Sequence, residues 1–146
     1  MKFWNSNLCY KTMTSVSEII LPKVHDPRGD LTFVEGEKHI PFKIARVYYL
    51  YKTQDQNVRG VHAHKKLEQI IISFSGKYQI LLDDGVNKAT FTLDDPSLGL
   101  YVCPMIWREV TPIGDCGVCV VLASRKYEED DYIHEYSDFL KLVESK

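Results

Sequence analysis

A chain of 146 residues with 45% hydrophobic and 26% charged side chains fits one globular domain, residues 1–146, with a sizeable core. Its net charge of −2 supplies no field to attract nucleic acid or an anionic membrane, although two or three local cations can still build a pocket for a small anion. No apolar run approaches the ~20 residues that span a bilayer, and "MKFWNSNLCYKTM" lacks a secretory segment, so a cytoplasmic protein is expected.

In chain order, "SEIILPKV" predicts a first strand over Ser17 to Val24, and "HDPRGD" a turn built by Pro27 and Gly29. "LTFVEG" alternates as a strand does, and "KIARVYYLYK" is rich in β-branched and aromatic residues. "QDQNVRG" is a loop leading to "VHAH". "EQIIISFSG" is a continuous apolar run, as in a strand buried on both faces and ended by Gly76. "KYQILLDDGVNKATFTL" predicts a hairpin at Asp84-Gly85. "LYVCPMIWREVT" reads as two strands bent at Pro104, "PIGDCG" as a turn, and "VCVVLAS" as another buried strand. Turn signals every ~8–12 residues point to an all-β sandwich or barrel. The tail differs. "YEEDD" reads as a solvated charged run, and Tyr136, Phe139, Leu140 and Val143 fall at helical spacing, with Ser137 as N-cap of a short terminal helix.

Four cysteines, Cys9, Cys103, Cys116 and Cys119, include one C-x-x-C without the second pair of a zinc knuckle, so reduced thiols are expected. His62 and His64 are more informative. Two residues apart on a strand, they point to one face. They can hold a metal, move protons near neutrality, or sit as solvated edge residues. A two-histidine, one-carboxylate iron site with Glu68 is one reading of the residues alone.

"RGVHAHKKLEQ" resembles the first motif of the cupin superfamily. In metal-binding cupins a carboxylate and a later histidine complete the ligand set; here those positions fall on Gln69 and Glu109. Together with "LLDDG", "PMIWRE", "DPRGDLTFVE", "IPFKIARVYYLY" and "DYIHEYSDFL", the chain is similar to the WxcM-like sugar nucleotide 3,4-ketoisomerases from about Ser17 to Leu140. The resemblance implies a double-stranded β-helix (cupin or jelly-roll barrel) with a short C-terminal helix, no metal and no cofactor. It further implies a dTDP-linked keto-deoxysugar as ligand, and a role in making unusual sugars for surface glycans such as the O-antigen of lipopolysaccharide. A related epimerase, a metal-dependent dioxygenase and a non-catalytic sugar-nucleotide-binding module are the alternatives.

Such an isomerase needs a base at C3, a proton source at C4 and donors for the enediolate. The resemblance places the proton transfers on His62 and His64, with His64 favoured as base. Tyr48 and Tyr49 alternate, so one faces inward; Tyr49 is taken as the proton relay and Tyr48 as a substrate contact. The diphosphate calls for arginines, and Arg59, Arg108 and Arg28, with Lys66, are the expected ligands, Arg108 being preferred to Arg46. Trp107 and Gln69 complete the expected substrate contacts, Trp107 by stacking on a ring. A homodimer is expected, with the N-terminal strand completing a neighbour's sheet.

Overall fold

The computed structural model describes residues 13–146; Cys9 and the rest of the N-terminal segment lie outside them. Ten strands follow one another: β1 Ser17–Ile20, β2 Lys23–Asp26, β3 Gly29–Thr32, β4 Arg46–Leu50 and β5 Arg59–His64, then β6 Gln69–Asp83, β7 Lys88–Leu93, β8 Leu98–Val102, β9 Trp107–Ala123 and β10 Tyr132–Ile133. Helix α1, Tyr136–Glu144, closes the chain.

Two long strands organise the rest. β6 and β9 pair antiparallel along nearly their whole length, from Gln69↔Ala123 to Asp83↔Trp107, with register shifts around Ser75. Their first contact region carries β8 and β1 on one side and β4 on the other. Their second carries β7 on one side and β5 with β10 on the other. Each long strand therefore crosses between two sheets, and the apolar residues facing inward form the main core between them. This is the jelly-roll barrel that the motifs imply.

The crossing point corrects two expectations. Gly76 does not end a strand, and "PIGDCG" does not form a separate turn; both are kinks inside β6 and β9. Gly76 has φ +78°, and a Cβ there would stand 3.0 Å from the Gly117 Cα. The glycines are needed because the two backbones touch where both strands bend. Thr53 and Tyr78 brace the bend through a 3.0 Å hydroxyl–hydroxyl bond. Cys116 lies exposed on this kink, whereas Cys103 and Cys119 are buried.

The first expected strand also divides. Pro22 interrupts it, so β1 joins β8 while β2 pairs with β3 in a separate hairpin across the Pro27–Gly29 turn. At the other hairpin Asp83 faces Lys88, and the Asp84 carboxylate accepts the Val86 and Asn87 amides inside the loop.

Period-two alternation then sorts side chains between two compartments. On β5, Ala63 points away from the barrel and its neighbours His62 and His64 point in. Ala63, Met105, Trp107 and Ile133 form a second core capped by Phe139 of α1. The N-cap is Glu135, not Ser137. The Glu135 carbonyl accepts the Phe139 amide at 3.0 Å, and the Tyr136 hydroxyl donates to Asp83 at 2.7 Å, so the helix already begins one residue before Ser137. Because Phe139 is fully buried, Phe139→Ala is expected to destabilise the fold by about 3–5 kcal/mol. Urea denaturation measures it; a loss below about 1 kcal/mol contradicts the described packing of α1.

Candidate active site

The inward faces of β4, β5 and β9 meet over a cavity of about 400 Å³. Arg46, Tyr48, Arg59, His62, Arg108, Tyr127 and Tyr132 stand among its lining residues, with Ile71, Cys119 and Val121 as the apolar floor. Three guanidinium groups line the cavity and, among the described residues, no carboxylate does. That charge arrangement suits an anionic ligand.

Arg108 sits at the centre. Its Nη2 donates to the Nε2 of His62 at 2.7 Å and to the Nε2 of His64 at 2.8 Å. A guanidinium has no acceptor. Both Nε2 atoms therefore present lone pairs, and each neutral imidazole carries its proton on Nδ1. The two rings meet edge to face at 4.8 Å. Burial first, and the Arg108 charge second, disfavour the imidazolium forms. The His62 pKa falls to about 3, and His64, more deeply buried at 4% exposure, is held well below the usual histidine range by the same two causes.

Tyr48 is the tyrosine that faces inward. Its hydroxyl oxygen accepts the Gln69 Nε2–H at 2.8 Å and an Arg108 N–H at 3.4 Å. With its acceptor side taken, its own O–H is left to donate toward the cavity. Gln69 is buried and acts here as the orienting partner of Tyr48.

Several expected residues stand elsewhere. Tyr49 points outward, 60% exposed, because β4 alternates and Tyr48 holds the inward phase. Trp107 precedes Arg108 on β9 and so faces the opposite way, packing against Tyr136 and Phe139 at 5.3 and 5.9 Å. Arg28 is on the β2–β3 hairpin, exposed and bound to Asp26 at 2.7 Å, away from this cavity. Lys66 is exposed on the loop after β5; its backbone amide, not its ammonium group, is engaged near the site. Arg59 does line the cavity. The Glu68 carboxylate accepts the Tyr101 hydroxyl at 2.7 Å, and among the described residues no three His, Cys, Asp or Glu side chains converge as a metal set.

Three contributions were missed. Arg46, placed below Arg108 in the sequence reading, lies over the rings of Tyr48 and Tyr127 at 5.3 and 5.6 Å, with a buried Nε that has no partner. The "YEEDD" stretch is solvent-exposed over its first four residues, as expected, and only Asp131 is buried. Tyr127 lines the cavity, Glu129 accepts from Tyr127 and His134, and Asp131 is buried beside His64. Tyr132 and His134 stack at 5.5 Å, and Tyr132 lies against both histidine rings, 5.0 Å from His62 and 4.3 Å from His64. In the sequence Tyr132 stood inside the quoted run "DYIHEYSDFL", with no role assigned to it.

Comparison with known proteins follows the same residues. The FdtA family model, described as "WxcM-like, C-terminal", matches residues 14–144. The chain belongs to this family. It is 46% identical over 121 residues to the TDP-4-oxo-6-deoxy-alpha-D-glucose-3,4-oxoisomerase of Aneurinibacillus thermoaerophilus, covering 83% of this chain and 87% of that one. QdtA, a sugar 3,4-ketoisomerase from Thermoanaerobacterium thermosaccharolyticum solved with TDP, is 38% identical with a TM-score of 0.88, over 92% of this chain and 98% of its own. A mutant of QdtA has also been solved with TDP-4-keto-6-deoxyglucose. A 3,4-ketoisomerase from Helicobacter canadensis is 39% identical with a TM-score of 0.86, over 88% of this chain and 97% of its own.

The depressed imidazole pKa values set a sign for stability. The unfolded chain protonates these histidines near pH 6.5, whereas the fold refuses those protons. Their contribution is complete above about pH 6.5 and is lost as pH falls toward about 3 for His62. The urea midpoint should therefore drop between pH 7 and 5, and drop less steeply in His62→Asn. Replacing Arg108 by Met should raise the His62 pKa but leave it below 6.5, since burial is the larger cause. An NMR titration giving an ordinary histidine value for wild-type His62 contradicts this account.

Proposed function

We propose that the protein is a sugar nucleotide 3,4-ketoisomerase that converts TDP-4-keto-6-deoxyglucose into a TDP-3-keto-6-deoxyhexose. The observation that carries this reading is the pair of neutral imidazoles on one guanidinium, with His62 and Arg108 in the lining of a cavity that holds three arginines. The names of its relatives agree with it.

The chemistry follows from the substrate. The C3–H bond next to the C4 ketone is the acidic one. An imidazole Nε2 takes that proton and the C3–C4 enediolate forms. Returning a proton to C4 while O3 loses its own gives the 3-ketone. One carbon-bound hydrogen has moved from C3 to C4, one hydroxyl proton has moved from O3 to O4, and no electrons leave the sugar. His64 serves as base at C3 and His62 handles the proton on the C4 side. The Tyr48 hydroxyl, oriented by Gln69, donates to the developing oxyanion. Arg108 leaves one imidazole for the enediolate as the base comes into use. Arg46 and Arg59 take the diphosphate, the partnerless Arg46 Nε being a donor without an internal bond.

This assignment uses neither a metal nor an organic cofactor. The Nε2 lone pairs that a metal would need already receive hydrogen bonds from Arg108, and the isomerisation balances without a redox partner. Activity is expected to persist after chelation.

The cellular setting is part of the same proposal. The protein acts in the cytoplasm, supplying a deoxysugar for surface glycans such as O-antigen, and works as a homodimer. Ile20 of edge strand β1, with Val24, Leu31 and Phe33 of the hairpin region, leaves apolar side chains 40–88% exposed. A second copy of the chain covers them. Light scattering should give a dimer mass, and a monomer at working concentration contradicts that part.

The direct test incubates the protein with TDP-4-keto-6-deoxyglucose and follows the product by NMR. A 3-keto sugar is expected, its formation unchanged by chelator and lowered about 10-fold or more in Tyr48→Phe, which keeps the ring and removes the donor. Substrate returned unchanged, or epimerised with the ketone still at C4, overturns the reading.

A further inference from the structure

The two imidazoles share Arg108 but differ on their other side. His64 Nδ1 stands 3.3 Å from the Asp131 Oδ2, within ion-pair range, and makes no hydrogen bond among the described residues. His62 has no carboxylate at such a distance among the described residues. Asp131 is itself 6% exposed. Its Oδ1 accepts the Lys66 amide at 2.8 Å and its Oδ2 accepts the Leu67 amide at 3.2 Å. The Asp131 carbonyl accepts the Lys65 amide at 2.9 Å. One residue thus fixes the loop that leaves β5 directly after His64. Register places Tyr132, the next residue, opposite His64 in the β10–β5 pair.

We infer that Asp131 is a positioning residue for His64, holding its imidazole in the Nδ1–H form so that Nε2, on the Arg108 side, is left as the base. This rests on the ketoisomerase reading and adds to it a member that touches no substrate atom. The argument is one of donors and acceptors. A carboxylate accepts only, so the nitrogen facing it carries the proton. Arg108 donates only, so the nitrogen facing it does not. The two partners demand the same tautomer from opposite ends of one ring. When Nε2 takes the C3 proton, the resulting imidazolium stands beside the fixed charge of Arg108, which disfavours it. The Asp131 carboxylate, on the far side, offsets that repulsion for His64 and not for His62. The asymmetry assigns the C3 proton to His64.

Asp131→Asn separates this role from loop bracing. The Asn carbonyl can still accept the Lys66 amide, the shorter of the two loop bonds, while the Leu67 bond at the Oδ2 place is given up. Its amide nitrogen then faces Nδ1 as a donor, which favours the opposite tautomer and sets it against Arg108. We expect kcat on TDP-4-keto-6-deoxyglucose to fall about 10²–10⁴-fold, with TDP affinity by calorimetry within about twofold of wild type. Long-range ¹⁵N NMR should show His64 protonated at Nδ1 in wild type and shifted away from that form in the variant. A wild-type His64 protonated at Nε2 overturns the inference whatever the variant does. So does a kcat within about threefold of wild type. A fall in kcat matched by equal losses of TDP affinity and melting temperature also overturns it, because that is what a purely structural role gives. If wild-type protein fails to isomerise the sugar, the ketoisomerase reading fails, while the tautomer measurement still decides what Asp131 does to His64.

Discussion

The site depends on one nitrogen, the Arg108 Nη2, which donates to two histidines at once. Burial, reinforced by a guanidinium that stays charged at any working pH, keeps both rings neutral. Because the guanidinium cannot accept, both rings turn a bare Nε2 toward it. The barrel makes this geometry possible. β9 pairs β5 in a register that sets Arg108 opposite His62, and the alternation of each strand sends Ala63 and Trp107 to the helix-capped core on the other side. The surrounding lining completes the charge pattern, with further arginines toward the mouth and apolar residues beneath.

The same guanidinium imposes an opposing effect. It weakens the bases it orients, since a positive charge beside an imidazole disfavours a second one. A base weakened in the free protein can still act when bound substrate brings negative charge. In the proposed reaction the diphosphate neutralises the rim arginines, and the enediolate forms beside Arg108 where the proton has just left. Charge separation in the transition state is thereby confined to a short path between ring carbon and imidazole. The free protein, by contrast, holds both lone pairs in hydrogen bonds.

Much of this was legible in the sequence. His-x-His on a strand places two rings on one face by period alone, and the ordered motifs pointed to the barrel and its chemistry. What escaped has physical reasons. Tyr48 and Tyr49 alternate, but which one points inward depends on how β4 registers with β9, and that pairing spans more than seventy residues of sequence, as Tyr48↔Val121 does. Trp107 and Arg108 posed the same phase problem, and only the helix packing of Trp107 resolves it. Arg46 could not be ranked above Arg108 without knowing that one sits on aromatic rings near the mouth and the other on the histidines. Asp131 lay inside an acidic run, where composition predicts solvent exposure; a buried carboxylate is decided by the two amides and the imidazole waiting for it, sixty-odd residues away. Gly76 and Gly117 looked like strand ends because a kink and a turn use the same residue.

The account stands or falls on the imidazoles as proton carriers. The most direct measurement is turnover of TDP-4-keto-6-deoxyglucose by His62→Asn and His64→Asn, each checked for TDP binding by calorimetry. Asparagine fills similar space and cannot titrate. The account predicts retained TDP binding with turnover reduced about 10²–10⁴-fold, the larger loss at His64. Near wild-type turnover in both variants contradicts it and leaves the histidine pair as a structural ligand of Arg108.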